Sequence, residues 1–206
     1  MNIKKLTLLA AAFFVTAQAQ AGLVITTGNN PQPDSENVLF NQPGSVSSGN
    51  PVTGTTNQTG LLVTFAGTED LVTPATGQAR VAAQDGTLTT FTVAMPGSTF
   101  NSYIFHILSS STSTGTATIT VNPFTGSGLT GTFSIFGGLS ENFFTVYATG
   151  IDRLASVQVT SSIALTDVRQ NIIGGARSTS VPEPGSLALL GLGLVGLGMS
   201  RRRKAN

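Results

Sequence analysis

From residue 22 to residue 180 the chain alternates short β-branched and aromatic runs with turn residues, and no window carries the spacing of an amphipathic helix. The runs at 23–26, 37–40, 60–65, 79–83, 88–94, 102–109, 116–121, 131–136, 143–148, 155–160 and 163–172 each read as a strand. Breakers such as Pro43-Gly44, Asp85-Gly86, Pro96-Gly97, Asn122-Pro123 and Gly137-Gly138 separate them. Asp85-Gly86 lies between two apolar runs and predicts a hairpin turn. Residues 41–60, rich in Gly, Ser, Thr, Asn and Pro, read as a long loop with room for one short strand near Val52. Thr116, Thr118 and Thr120 share one strand face while Ala117, Ile119 and Val121 share the other. Residues 103–108 are apolar on both faces and predict a central strand. The pattern as a whole predicts an all-β fold, an antiparallel β-sandwich of jelly-roll-like form, over residues 22–177.

The two ends break this pattern. Lys4 and Lys5 precede an apolar stretch of ten residues, 6–15, too short to span a hydrocarbon core of about 30 Å as a lone helix. Ala19-Gln20-Ala21 then supplies the small-x-small pattern of a signal-peptidase site, so residues 1–21 read as a signal peptide cut after Ala21. Ala17-Gln18-Ala19 offers a second cut two residues earlier. At the other end, residues 178–206 form a polar spacer followed by three parts in order. Val181-Pro182-Glu183-Pro184-Gly185 carries two prolines that forbid a helix interior. Residues 187–199 are thirteen apolar residues, about 20 Å as a short hydrophobic helix. Arg201, Arg202, Arg203 and Lys204 form a basic stop that stays cytoplasmic and leaves the body outside the inner membrane.

Val181, Pro182, Glu183 and Pro184, then the Gly/Leu segment, then Arg201 to Lys204, resemble the PEP-CTERM sorting signal of Gram-negative bacteria. The resemblance implies signal peptidase and an exosortase as partners, transient insertion of the tail in the inner membrane, and loss of that tail. Delivery to the cell surface or the extracellular polysaccharide matrix follows from the same resemblance. A plain C-terminal anchor holding a periplasmic domain is the alternative. Segments such as Asn37-Val38-Leu39-Phe40-Asn41 and Asn142-Phe143-Phe144-Thr145-Val146 also resemble a recurring body type among such proteins, which brings no assigned activity.

Composition narrows the chemistry. Charged residues make up 9% of the chain, against roughly 25% in an average soluble protein. There is no cysteine, which excludes disulfides and thiolate metal sites. Six of the ten cations lie in the two terminal segments, so residues 22–180 hold four cations against eight acids, net −4, and present no basic stripe for nucleic acid. His106, the single histidine, sits in an apolar run and reads as a core residue. No nucleophile elbow and no histidine-rich metal pattern is present, so no catalytic and no metal-ligating residues are assigned. The absence of Trp and the presence of only two Tyr argue against a deep sugar cleft. Loop acids, among them Asp34, Glu36, Glu69, Asp70, Asp152 and Asp167, leave room for a structural Ca²⁺, with no other cofactor expected. The expected function is that of a non-enzymatic surface or matrix protein, structural or adhesive and associated with exopolysaccharide. The alternative is a polysaccharide- or Ca²⁺-binding module.

Overall fold

The computed structural model of the chain describes residues 17–20, 22–74 and 79–179. Every regular element among them is a strand: β1 (Ala17–Gln20), β2 (Leu23–Thr27), β3 (Ser35–Leu39), β4 (Ser48–Gly49), β5 (Val52–Thr56), β6 (Leu62–Gly67), β7 (Leu71–Val72), β8 (Arg80–Ala83) and β9 (Leu88–Ala94). They continue as β10 (Ser98–Thr99), β11 (Ser102–Ser109), β12 (Gly115–Pro123), β13 (Leu129–Ile135), β14 (Gly138–Ala148), β15 (Leu154–Leu165), β16 (Asp167–Gly174) and β17 (Arg177–Ser178). Fifteen of these form one sheet with the path β1-β2-β14-β11-β16-β3-β5-β6-β9-β15-β12-β13, with β8, β7 and β4 branching from β16; β10 and β17 pair separately. All pairings are antiparallel.

The all-β, antiparallel expectation holds. Strand β3 bonds to β16 on one side and to β5 on the other, so the sheet is continuous. It wraps until β13 lies against β1 and β2, which makes it nearly a barrel. The alternation explains the wrapping. In β12 and β13 every second side chain is buried, and Ala117, Ile119, Val121, Phe133 and Ile135 all point into one core. Phe91 on β9 meets Phe105 on β11 edge-on at 6.0 Å across that core.

The short strand expected near Val52 is present as β5, and it is buried between β3 and β6. It carries one aliphatic side chain, Val52, and buries threonines whose hydroxyls are satisfied. Thr53 Oγ1 accepts the Val46 amide at 2.8 Å, and Thr56 Oγ1 accepts that of Leu61 at 2.9 Å. Gly54 belongs to this packing, because a Cβ there would stand 2.7 Å from the Leu39 carbonyl oxygen. Two expectations fail: the Asp85-Gly86 turn does not close a hairpin, since β8 pairs with β7 and β16 while β9 pairs with β6 and β15, and residues 163–172 are not one strand. The chain breaks at Thr166, whose amide donates to Leu108 O at 2.7 Å, and β16 then bulges at Gln170, which has a φ of 49°. The bulge lets Val168, Asn171 and Ile173 all face inward, and Asn171 Oδ1 accepts the buried Tyr103 hydroxyl at 2.6 Å. Burial pushes the Tyr103 phenol well above its ordinary pKa.

Glu36 is buried in β3 and closes the β5–β6 turn. Its Oε2 accepts the amides of Gln58 and Thr59 at 2.9 and 2.8 Å, and its Oε1 accepts the Thr59 hydroxyl at 2.7 Å. Glu36→Ala is expected to cost about 2 kcal/mol, since bonds to a charged acceptor are worth more than neutral ones but the freed turn amides regain water. Urea unfolding of the variant against the parent checks this.

Candidate functional site

The outer face of β9, β15, β12 and β13 carries hydroxyls in rows. Antiparallel register sets Thr132, Thr118, Thr160 and Thr90 side by side across the four strands. The next row is Thr130, Thr120, Gln158 and Thr92. The two outer pairs of each row are bonded: Thr118 to Thr132 at 3.2 Å and Thr90 to Thr160 at 3.4 Å in the first, Thr120 to Thr130 at 3.2 Å and Gln158 Nε2 to Thr92 at 3.4 Å in the second. Beyond them Asn122 Nδ2 donates to Ser156 Oγ at 3.1 Å. Strand geometry spaces the hydroxyls about 4.8 Å across the sheet and about 6.8 Å along each strand. None of these four strands contains a charged residue. Each hydroxyl has one donor and two acceptor positions, and a single ladder bond leaves capacity on every threonine. The face can therefore exchange hydrogen bonds with a flat, neutral, hydroxyl-rich partner and has no charge to attract an ionic one.

The alternation in the sequence puts Thr116, Thr118 and Thr120 on one strand face and Gln158 and Thr160 on another, but not the rows they form, because a row exists only once register is set. The signal available was the repeat Thr-x-Thr at 90–92, 118–120 and 130–132.

A second polar group lies on the outer face of the opposite half of the sheet. His106 is half-buried rather than in the core. The single-residue alternation of β11 sends Tyr103, Phe105 and Ile107 inward and His106 outward, where it stacks on Phe143 at 4.2 Å and 15°. Asp167, 1% exposed, accepts Arg169 Nε at 2.7 Å and Nη2 at 2.8 Å, with Arg80 Nη1 at 3.4 Å. These bonds from Asp167 hold the Arg169 guanidinium above its ordinary pKa. The geometry is that of a structural ion pair beside an aromatic platform.

Among the loop acids, Glu69, Asp70 and Asp85 come together with Gln84 around a shallow depression of about 340 Å³. Among the described residues no three acids or histidines are placed to hold a metal ion. Asp152 instead packs under Gly22, where a Cβ would collide with its carboxylate. Glu36 is consumed by the turn described above.

Of the predicted processing residues, Ala19 lies in β1 opposite Val24 of β2. Ala21, Val181, Pro182, Glu183, Pro184, Arg201, Arg202, Arg203 and Lys204 lie outside the described residues, as do the apolar segment 187–199 and its expected helix. Among the described residues no helix is long and apolar enough to cross a membrane.

A charge-poor antiparallel body, followed by Pro-Glu-Pro, an apolar run and an arginine cluster, defines an exported protein with a C-terminal sorting signal. Residues 180–204 match the family described as the PEP-CTERM protein-sorting motif. The chain thus carries a PEP-CTERM sorting motif, which supports its being a substrate for exosortase directed toward the cell surface. The match covers the tail alone; no curated protein and no solved structure matches the chain.

Proposed function

We propose that the mature body is a non-enzymatic surface or matrix protein, structural or adhesive, that associates with exopolysaccharide through the hydroxyl rows of β9, β15, β12 and β13. The observation that carries this reading is an uncharged outer face spanning four strands on a protein whose tail is a sorting signal. A neutral polysaccharide offers hydroxyls at comparable density, and many weak hydrogen bonds over a flat area give adhesion without a cleft. The jelly-roll-like sandwich is the finer form of the fold that this reading favours, with the hydroxyl rows on one broad face.

The test is retention of the mature protein by exopolysaccharide from its own bacterium. Thr118→Val with Thr160→Val keeps shape and strand propensity and removes two hydroxyls from one row. The double variant is expected to unfold within about 0.5 kcal/mol of the parent, as exposed substitutions do, and to lose most of its retention. Undiminished retention would remove the face from the argument. Intact mass and cell fractionation run alongside. A mass lacking residues 1–21 and the tail beyond Pro184, in the surface fraction, supports the matrix reading; a mass retaining the tail, in the inner membrane, points to an anchored periplasmic domain.

A second reading rests on the His106–Phe143 stack beside Arg169, which suits a sugar ring carrying a carboxylate. Retention restricted to acidic polysaccharide, lost in Arg169→Gln, would favour it.

A further inference from the structure

The processed ends leave the body at one pole. Gly22, the first residue after the predicted cut, accepts the Thr149 amide through its carbonyl at 2.8 Å. The turn at 149–152 leads into Arg153, whose carbonyl accepts the Phe124 amide at 2.7 Å. At the same pole β17 pairs with β10, and the Thr179 amide donates to Gly97 O at 2.9 Å, so the chain is held to the body until two residues before Val181.

This pole has its own chemistry. Phe124 is 58% exposed and Ile151 is 98% exposed. Beside Phe124 an open depression of about 330 Å³ is lined by Thr99, Phe124, Arg153, Arg177, Ser178 and Thr179, with no carboxylate. Arg80 and Arg169 share Asp167, whereas Arg153 and Arg177 have no acidic partner among the described residues. The Arg153 guanidinium is fixed by Thr99 Oγ1 at 2.6 Å, Asn101 Oδ1 at 2.7 Å, Thr99 O at 2.9 Å and the Gly175 carbonyl. Burial first, and then the nearby Arg177, holds it below its ordinary pKa. Asp34 and Asp152 also belong to this pole but do not line the depression.

Chain length completes the argument. Leu187, where the apolar segment begins, is eight residues past Thr179, a reach of at most about 28 Å when fully extended. With that segment in the bilayer, the pole is held at the membrane surface. We propose that this pole docks on the phospholipid bilayer during sorting: Phe124 and Ile151 enter the headgroup region, and Arg177, with the remaining N–H of Arg153 and the hydroxyls of Ser178 and Thr179, cradles a lipid phosphate. The proposal rests on the sorting reading of residues 180–204. The β10–β17 pairing then delivers the Pro-Glu-Pro segment in the plane where a membrane enzyme meets it.

The chain has no tryptophan, so single reporters are clean. Full-length Phe124→Trp, Ile151→Trp and Phe136→Trp chains are reconstituted in phosphatidylethanolamine–phosphatidylglycerol vesicles with brominated acyl chains. Phe136 is 56% exposed and follows β13, at the end of the body away from the pole, and serves as the control. Trp at 124 and 151 is expected to be quenched at least twofold more than Trp at 136. Adding Arg177→Gln to the Phe124→Trp chain is expected to weaken docking about fivefold, one cation's share at an anionic surface, with flotation unchanged. Chains that float but show equal quenching at all three positions, or none, overturn the proposal alone. Chains that do not float overturn the tail reading and the proposal with it. Differential quenching that requires added exosortase overturns lipid as the partner.

Discussion

Phe105→Ala is expected to lower the unfolding free energy by about 3–5 kcal/mol, the range for removing a fully buried aromatic side chain. Phe105 is 0% exposed and lies at the junction of the two halves of the wrapped sheet. It stacks on Tyr103 at 4.7 Å and on Phe144 at 5.6 Å within its own half, and meets Phe91 of the other half at 6.0 Å and 86°. Tyr103 cannot move into the space, because its hydroxyl is tied to Asn171. The cavity therefore persists, which places the cost toward the upper end. Phe105→Leu keeps much of the volume and is expected to cost about 1 kcal/mol. Guanidinium unfolding curves with unchanged slopes would verify both; a loss under 1 kcal/mol for the alanine variant would show that the halves do not share one core.

Asp167→Ala is expected to cost about 3 kcal/mol. The carboxylate is 1% exposed and holds Arg169 through two bonds and Arg80 through one. Its removal leaves two guanidiniums facing each other across β8 and β16, whose residues Arg80 and Arg169 are paired in register. Breaking a buried pair commonly costs 3–5 kcal/mol. The two arginines keep 32% and 29% of their side-chain surface in water, which puts this case at the low end. Because the carboxylate is buried, the loss should change little between 0.05 and 0.5 M salt. A cost that vanished at high salt would mean the pair is solvated. Adding Arg169→Leu to Asp167→Leu should recover part of the loss, because the unpaired charge rather than the missing bond dominates.

Most strands were legible in the chain, and the exceptions share a cause. β12 is read correctly because Ala117, Ile119 and Val121 alternate with threonines and burial follows the alternation. The short strand near Val52 was legible but its burial was not, because that burial falls on Thr53, Gly54 and Thr56, whose fitness for the interior depends on partners at Val46, Leu39 and Leu61 that no local pattern reveals. The division of 163–172 was hidden for a related reason: Leu165-Thr166-Asp167 contains no breaker, and the turn is fixed by a bond from Thr166 to Leu108. His106 was assigned to the core because its neighbours are apolar on both faces, while its own parity in β11 points outward. The sorting motif at residues 180–204 was legible because its meaning lies in the order of its parts and needs no fold. The hydroxyl rows and the arginine depression were not, since Thr99, Phe124, Arg153 and Arg177 meet only through tertiary structure.

Strand β1 has a consequence for the protein's life history. Its four residues pair with β2 from Ala17 opposite Thr26 to Gln20 opposite Leu23, at the place where the far end of the wrapped sheet, β13, comes back around. A cut after Ala21 removes β1 and exposes one backbone edge of β2 to solvent. Precursor and mature protein would then differ in which strand borders the gap: the sheet path ends at β1 and β13 without pairing them, so the seam is open in both forms, edged by β1 before processing and by β2 afterwards. The edge of β2 becomes available only after the cut, so self-association through it would be timed by the signal peptidase and confined to the far side of the membrane.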